Sequence, residues 1–145
     1  MQIERDPYTF GMDILNTLAL LIVALTGFYF IALSVLSFAA PARASGFLMG
    51  FASSAATHYA ELLVRMMVGS AFIAASPVVP FQAAFAVFGW VLVGTTAVLF
   101  LVPWQLHHKF AERAVPRALR HLRLIAVASL FLGAFVLWSV ARSAT

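Results

Sequence analysis

The sequence predicts an all-α integral membrane protein: a four-transmembrane-helix bundle with short loops. Three observations predict it. Sixty-three per cent of the residues (63%) are hydrophobic and only 10% are charged, against about 25% charged in a soluble domain. The apolar residues gather into stretches long enough to cross a hydrocarbon core, which takes about 20 helical residues. Proline, tryptophan or basic residues bound those stretches. With a mean hydropathy of +1.00 the chain has too few charges to cover a surface in water, whereas lipid tails solvate apolar side chains directly. Its 145 residues leave room for one domain, residues 1–145, and no second.

The first expected span is 14–40. A polar segment with Glu4, Arg5, Asp6 and Asp13 precedes it, and Asp13 and Asn16 read as caps for its first turn. Ala42-Arg43-Ala44 is similar to a signal-peptidase site. The apolar run is too long for a cleaved segment, however, and its leading residues are acidic rather than basic, so it reads as a retained span. Pro41 ends it, and Pro41 to Ser45 read as the first turn.

The second span, 46–76, is long and mixed: GFLMGFASSAAT is rich in small residues, HYAELLVR is polar, and MMVGSAFIAAS is apolar. At about 1.5 Å per residue such a helix exceeds the bilayer core. Either it tilts and projects, or its first turns lie at the interface. Pro77 and Pro80 bracket a tight turn. The third span, 81–104, ends at Pro103 and Trp104, with the indole at headgroup depth. Residues 105–123 form a basic loop, expected as a short amphipathic helix broken at Pro116. The fourth span, 124–141, ends near Trp138 and Arg142.

Orientation follows from the basic residues. Lys109, Arg113, Arg117, Arg120 and Arg123 share one loop, and Arg43 falls in the other loop on the same side. Arg5 and Arg142 oppose them. The positive-inside rule places loop 105–123 in the cytoplasm, facing anionic headgroups, and both termini outside, as in a bacterial inner membrane or its equivalent. Nucleic acid is not an expected partner, because the basic segment is short and its aromatic neighbours belong to the spans. The expected partners are the bilayer and other membrane helices.

His58, Glu61 and Arg65 form the most informative pattern. Spacings of three and four put them on one helical face, with Thr57 and Gly69 flanking. Charge inside a membrane is costly and is usually paired, facing protein or a water-filled cavity. Glu61 and Arg65 can pair as helices prefer, with Glu on the N-terminal side. The pair serves either to fix packing, or to let Arg65 snorkel to headgroups, or to relay protons or bind a solute.

A metal site would draw on His58, His107 and His108 with Glu61, if all approach one interface; the spacing matches no ligand motif. Without a second histidine inside a span, His58 is weak as a haem ligand. No particular cofactor is called for, and the 14 phenylalanines read as packing and lipid-facing bulk.

Gly46, Gly50 and Ser54 recur every fourth residue, as do Ser129 and Gly133. Small residues so spaced let helix backbones approach, within the chain or between subunits. Gly69 belongs with these packing positions. Gly89 and Gly94 are five apart and give no such stripe.

The chain has no cysteine, which excludes disulfides and thiolate metal sites. It carries no P-loop, HExxH or GxSxG motif, so nothing points to an enzyme. The Arg65, Gly69, Pro77 series loosely resembles DoxX-type membrane proteins. The resemblance covers one helix, is generic, and implies nothing about the rest of the chain. The leading expectation is a membrane protein acting by helix–helix interaction, as an accessory subunit or a homo-oligomer. The alternatives are a proton-linked or small-solute carrier using His58, Glu61 and Arg65, and a subunit holding haem, quinone or pigment.

Overall fold

The computed structural model describes residues 7–50 and 54–143. Among them there is no strand, and the long elements are all helical. Helix α1 runs Pro7–Ala39, α2 Pro41–Gly50, α3 Ala55–Ala75, α4 Gln82–Leu101, α5 Trp104–Leu119 and α6 Leu122–Ser143; a 3-10 turn, Ser76–Val78, links α3 to α4. Segments Gly11–Ala39, Ala55–Val78, Gln82–Leu101 and Leu122–Ser143 are each long and apolar enough to cross a membrane. Arg5, one of the charges set against the basic loop, lies outside the described residues.

Local chemistry explains the boundaries. Ala40 leaves the helical conformation because the ring of Pro41 crowds the residue before it. Pro41 then opens α2 at a first-turn position, where no N–H is needed. The expected turn over Pro41 to Ser45 is therefore helical instead. Ala40 bridges the break: its N–H donates to the Leu36 carbonyl at 2.8 Å and its carbonyl accepts from Ala44 at 3.1 Å.

The expected continuous helix over 46–76 is two helices. Ser54 is extended (φ −153°, ψ 164°) and caps α3. Its Oγ accepts the Thr57 N–H at 3.2 Å, and Thr57 Oγ1 accepts the Ser54 N–H at 3.1 Å. This reciprocal cap starts a helix where a uniform polar-to-apolar reading saw only a change of composition.

Pro116 does not break α5, which runs through it. The proline removes one hydrogen bond, to the Glu112 carbonyl, close to the C-terminus and on an exposed helix where water can replace it.

Helix α1 packs along α6 and against α3, while α3 packs along α4. Both close pairs run antiparallel, since Gly27 faces Val136 and Leu137 while Gly133 faces Ile31, and Gly69 faces Val93 while Gly89 faces Ile73. The connectors α2 and α5 touch each other at one end. At the other end Phe81 meets Phe135 and Trp138 of α6 at ring separations of 5.1 and 5.8 Å, and the Arg142 guanidinium lies over the Trp138 ring.

The core joins Ala19, Val23, Ala71, Phe72, Ala75, Val79, Phe85 and Val136. Its alanines and valines pack around Phe72 and Phe85. Many large side chains point outward: Leu101, Phe131 and Leu124 are 85%, 72% and 67% exposed. This outer surface is far more apolar than that of a monomeric soluble protein.

Candidate polar site on the third helix

The Ser54 cap fixes the rotation of α3 and so decides which side chains look inward. Thr57, expected to flank the polar stripe, is spent on that cap. His58 follows, buried, with its ring edge-on to Tyr59 at 5.2 Å. Tyr59 stacks on Phe100 of α4 at 6.5 Å. Leu62, Gly69 and Phe72 continue the buried face.

Glu61 and Arg65 lie one turn apart on this face, with Glu61 Oε1 3.6 Å from an Arg65 Nη. The guanidinium also crosses to α4. Its Nε donates to Thr96 Oγ1 at 3.1 Å, and an Nη donates to Thr95 Oγ1 at 3.4 Å. Each threonine in turn donates its own hydroxyl proton to a backbone carbonyl of α4: Thr96 to Leu92 at 2.6 Å and Thr95 to Val91 at 2.7 Å. Arg65 is a pure donor and the hydroxyls accept, so donors and acceptors match along the chain. Tyr29 of α1 lies within electrostatic reach of Glu61.

The resulting cluster of Glu61, Arg65, Thr95 and Thr96 ties α3 to α4. Thr96 is fully buried, while the Arg65 and Glu61 side chains stay 32% and 26% exposed. Geometry of this kind can position a helix pair or present a charged, hydrogen-bonded edge to a neighbour. The sequence pattern named Glu61 and Arg65 but missed the two threonines and Tyr29. The only available signal was a Thr-Thr pair inside an otherwise apolar span.

The other expected sites are dispersed. Among the described residues no group of three or more His, Asp or Glu side chains could hold a metal ion. His58 is buried within α3, His108 pairs with Glu112 along α5 at 3.2 Å, and the side chain of His107 lies outside the described part. Lys109, Arg113, Arg117, Arg120 and Arg123 are all exposed on α5 and the turn into α6.

The small residues divide. Gly69 and Gly133 sit at close helix crossings. A Cβ added at Gly133 would lie 2.8 Å from the Gly27 carbonyl oxygen, and one at Gly89 2.7 Å from the Gly69 carbonyl oxygen. Ser129 lies buried on the Gly133 face. Gly46 and Gly50 have no atom within 4 Å of where a Cβ would stand, and Ser54 is a cap. Among the described residues no close helix crossing forms at these three. Gly27 and Gly89, which no intrahelical spacing marks, supply the partners instead.

Compared with protein-family models, curated proteins and solved structures, the chain matches none of them.

Proposed function

We propose that the chain is a non-enzymatic four-transmembrane-helix bundle that works by associating with other membrane helices, as a homo-oligomer or as a subunit of a larger membrane complex. The observation that carries this reading is the Glu61–Arg65 pair. It is bonded to α4, yet about a quarter to a third of each side chain stays open in the single chain. An ion pair left open to lipid is costly, and polar side chains in membranes face protein or water. A neighbouring helix that covers the pair removes that cost. The apolar outer surface supports insertion in a bilayer. The exposed basic residues of α5 support a cytoplasmic position for 105–123, with both termini outside.

Purification in mild detergent followed by native mass spectrometry tests the association. The expected result is an assembly heavier than one chain, weakened by Arg65→Ala. A monomer of unchanged mass in every lipid would overturn the reading. Topology is checked separately by labelling Val78→Cys and Arg113→Cys from either side of sealed vesicles; the two should react from opposite sides.

A proton-linked or small-solute carrier using His58, Glu61 and Arg65 is the second reading, supported by all three lying on the first half of α3 with Glu61 and Arg65 paired. In liposomes under a pH gradient, proton flux that disappears in a folded Glu61→Gln variant would favour it over the association reading.

A further inference from the structure

We infer that the groove between the α1–α2 junction and the α5–α6 turn is a binding site for a phosphate-type anion. The groove has a volume of about 550 Å³ and is lined by Ser37, Phe38, Pro41, Arg120, His121 and Arg123, with the first leucines of α6 beside them. Three independent features point to an anion there.

The first is Ser37. It is only 3% exposed, and its hydroxyl has no hydrogen-bond partner. Other hydroxyls on these helices return their proton to the carbonyl four residues earlier, as Thr17, Thr26 and Thr96 do. Ser37 does not. A buried hydroxyl left unpaired is costly. Ser139 of α6 is also buried and unpartnered, but it lines no such groove.

The second is charge. Arg120, His121 and Arg123 line the groove, and among the described residues no carboxylate does. The ion pairs among the described residues lie elsewhere, at Glu61–Arg65 and His108–Glu112. Two guanidiniums on one groove without a counter-charge there favour an anion in it.

The third is the start of α6. Its first turn holds no acidic residue and instead carries Arg123, although the N-terminus of a helix already bears partial positive charge from its unsatisfied amides. A cation there is unfavourable in the empty protein. With a phosphate present, the helix N-terminus becomes a further set of donors.

A phosphate accepts from several donors at once, and Arg pairs with it in a bidentate fork. The same chemistry arises from a free phosphate or from the headgroup of an anionic phospholipid. Phe38, Pro41 and the α6 leucines give the groove an apolar wall along which an acyl chain would lie. The lipid source rests on the membrane reading above; the phosphate site itself does not.

The test reconstitutes the full chain in phosphatidylcholine nanodiscs and follows its thermal unfolding midpoint with added inorganic phosphate, or with phosphatidylglycerol in place of part of the phosphatidylcholine. Either source should raise the midpoint. Arg120→Gln with Arg123→Gln should weaken the apparent affinity roughly tenfold or more, while Lys109→Gln with Arg113→Gln, an equal charge loss on α5 outside the groove, should change it less than about threefold. Arg120→Lys with Arg123→Lys should recover part of the loss.

Ser37→Ala should weaken binding while leaving the ligand-free midpoint equal or higher, because it removes the unpaired hydroxyl; a purely structural serine would show only the second effect. Response to inorganic phosphate alone identifies a soluble ligand, and response to phosphatidylglycerol alone a lipid; both uphold the site. Equal losses in the groove and α5 variants, or no response to either source, would overturn it. Failure of the chain to enter nanodiscs would defeat the membrane reading, and the phosphate arm could still be run in detergent.

Discussion

Helices α1 and α6 cross with Gly27 against Gly133, and α3 and α4 cross with Gly69 against Gly89. In both pairs an absent side chain on one helix admits the backbone of the other. The pairs differ in what surrounds the crossing. Around Gly27 and Gly133 the neighbours are Ile31, Val136 and Leu137, all apolar. One and two turns from Gly69 lie Arg65 and Glu61, and the first of these is bonded to Thr96 across the gap. Lipid tails are as apolar as leucine, so no hydrophobic drive brings helices together inside a bilayer; close packing and interhelical hydrogen bonds must do so. The contacts described at the α1–α6 crossing are packing contacts, whereas the α3–α4 pair has packing and an interhelical hydrogen bond. Packing substitutions should therefore damage the pairs alike, and substitutions of Arg65 or Thr96 should damage α3–α4.

The largest expected effects come from the glycines whose added Cβ would meet backbone. At Gly89 it would stand 2.7 Å from the Gly69 carbonyl oxygen and 2.9 Å from the Ile73 nitrogen; at Gly133 it would stand 2.8 Å from the Gly27 carbonyl oxygen. Backbone atoms cannot swing aside, so the helices must separate. Overpacking costs about 1–3 kcal/mol, and the better helix propensity of alanine returns up to about 1 kcal/mol. Gly89→Ala and Gly133→Ala should each lose about 1–2 kcal/mol in equilibrium unfolding from mixed micelles. Gly46→Ala, where nothing stands nearby, should be neutral or slightly stabilising. Similar losses at all three positions would mean that helix contact does not control stability.

Arg65→Ala should cost about 1–2 kcal/mol, less than a fully buried pair would, because its side chain is one-third open. The guanidinium serves Glu61, Thr95 and Thr96 together, so Arg65→Ala should exceed Glu61→Gln. Their double variant should lose less than the sum, since removing one partner strands the other. Strict additivity would show that the two groups do not interact. Thr96→Val, which keeps shape and removes one acceptor, should cost about 0.6 kcal/mol and should leave the α1–α6 pair untouched.

These contrasts also mark where the sequence was legible. The apolar stretches are each dominated by one property over some twenty residues, so composition alone exposed the four long helices. The Glu61–Arg65 pairing was legible because it lies within one helix, where spacing fixes distance. The Thr95 and Thr96 contacts were not, because they depend on the register of α3 against α4, which no single helix encodes. The glycine crossings were legible only in part for the same reason: Gly69 and Gly133 lie at them, Gly46 and Gly50 do not. Spacing within a helix favoured Gly46, Gly50 and Ser54, but the close approaches pair one glycine on each of two helices, and Gly27 and Gly89 have no small residue four positions away to announce them. The break at Ser54 was missed because a Ser54–Thr57 reciprocal cap is a short polar signal inside a segment judged by its overall composition.

The smallest effect gives the finest test, because it compares the two sides of one crossing. A Cβ at Gly27 would stand 2.8 Å and 2.9 Å from Leu137 Cγ and Cδ2, and 3.2 Å from Val136 Cγ1. Every one of these atoms belongs to a side chain. Val136 is buried and stiff, but Leu137 is only half-buried and can change rotamer toward the outer surface, where lipid would receive it without penalty. A rotamer shift costs about 0.5–1.5 kcal/mol when it is forced off a staggered well, and much less when another well is open. The helix-propensity gain of alanine is of the same size and opposite sign. Gly27→Ala should therefore change stability by less than about 0.5 kcal/mol, although its partner substitution Gly133→Ala, at the same crossing, costs more. Adding Leu137→Ala to Gly27→Ala would clear the only crowded side chain that can move, so it should add no more than Leu137→Ala does alone. If Gly27→Ala proves as damaging as Gly133→Ala, Leu137 is held in place, and the α1–α6 crossing is as rigid as the polar clasp of α3 and α4.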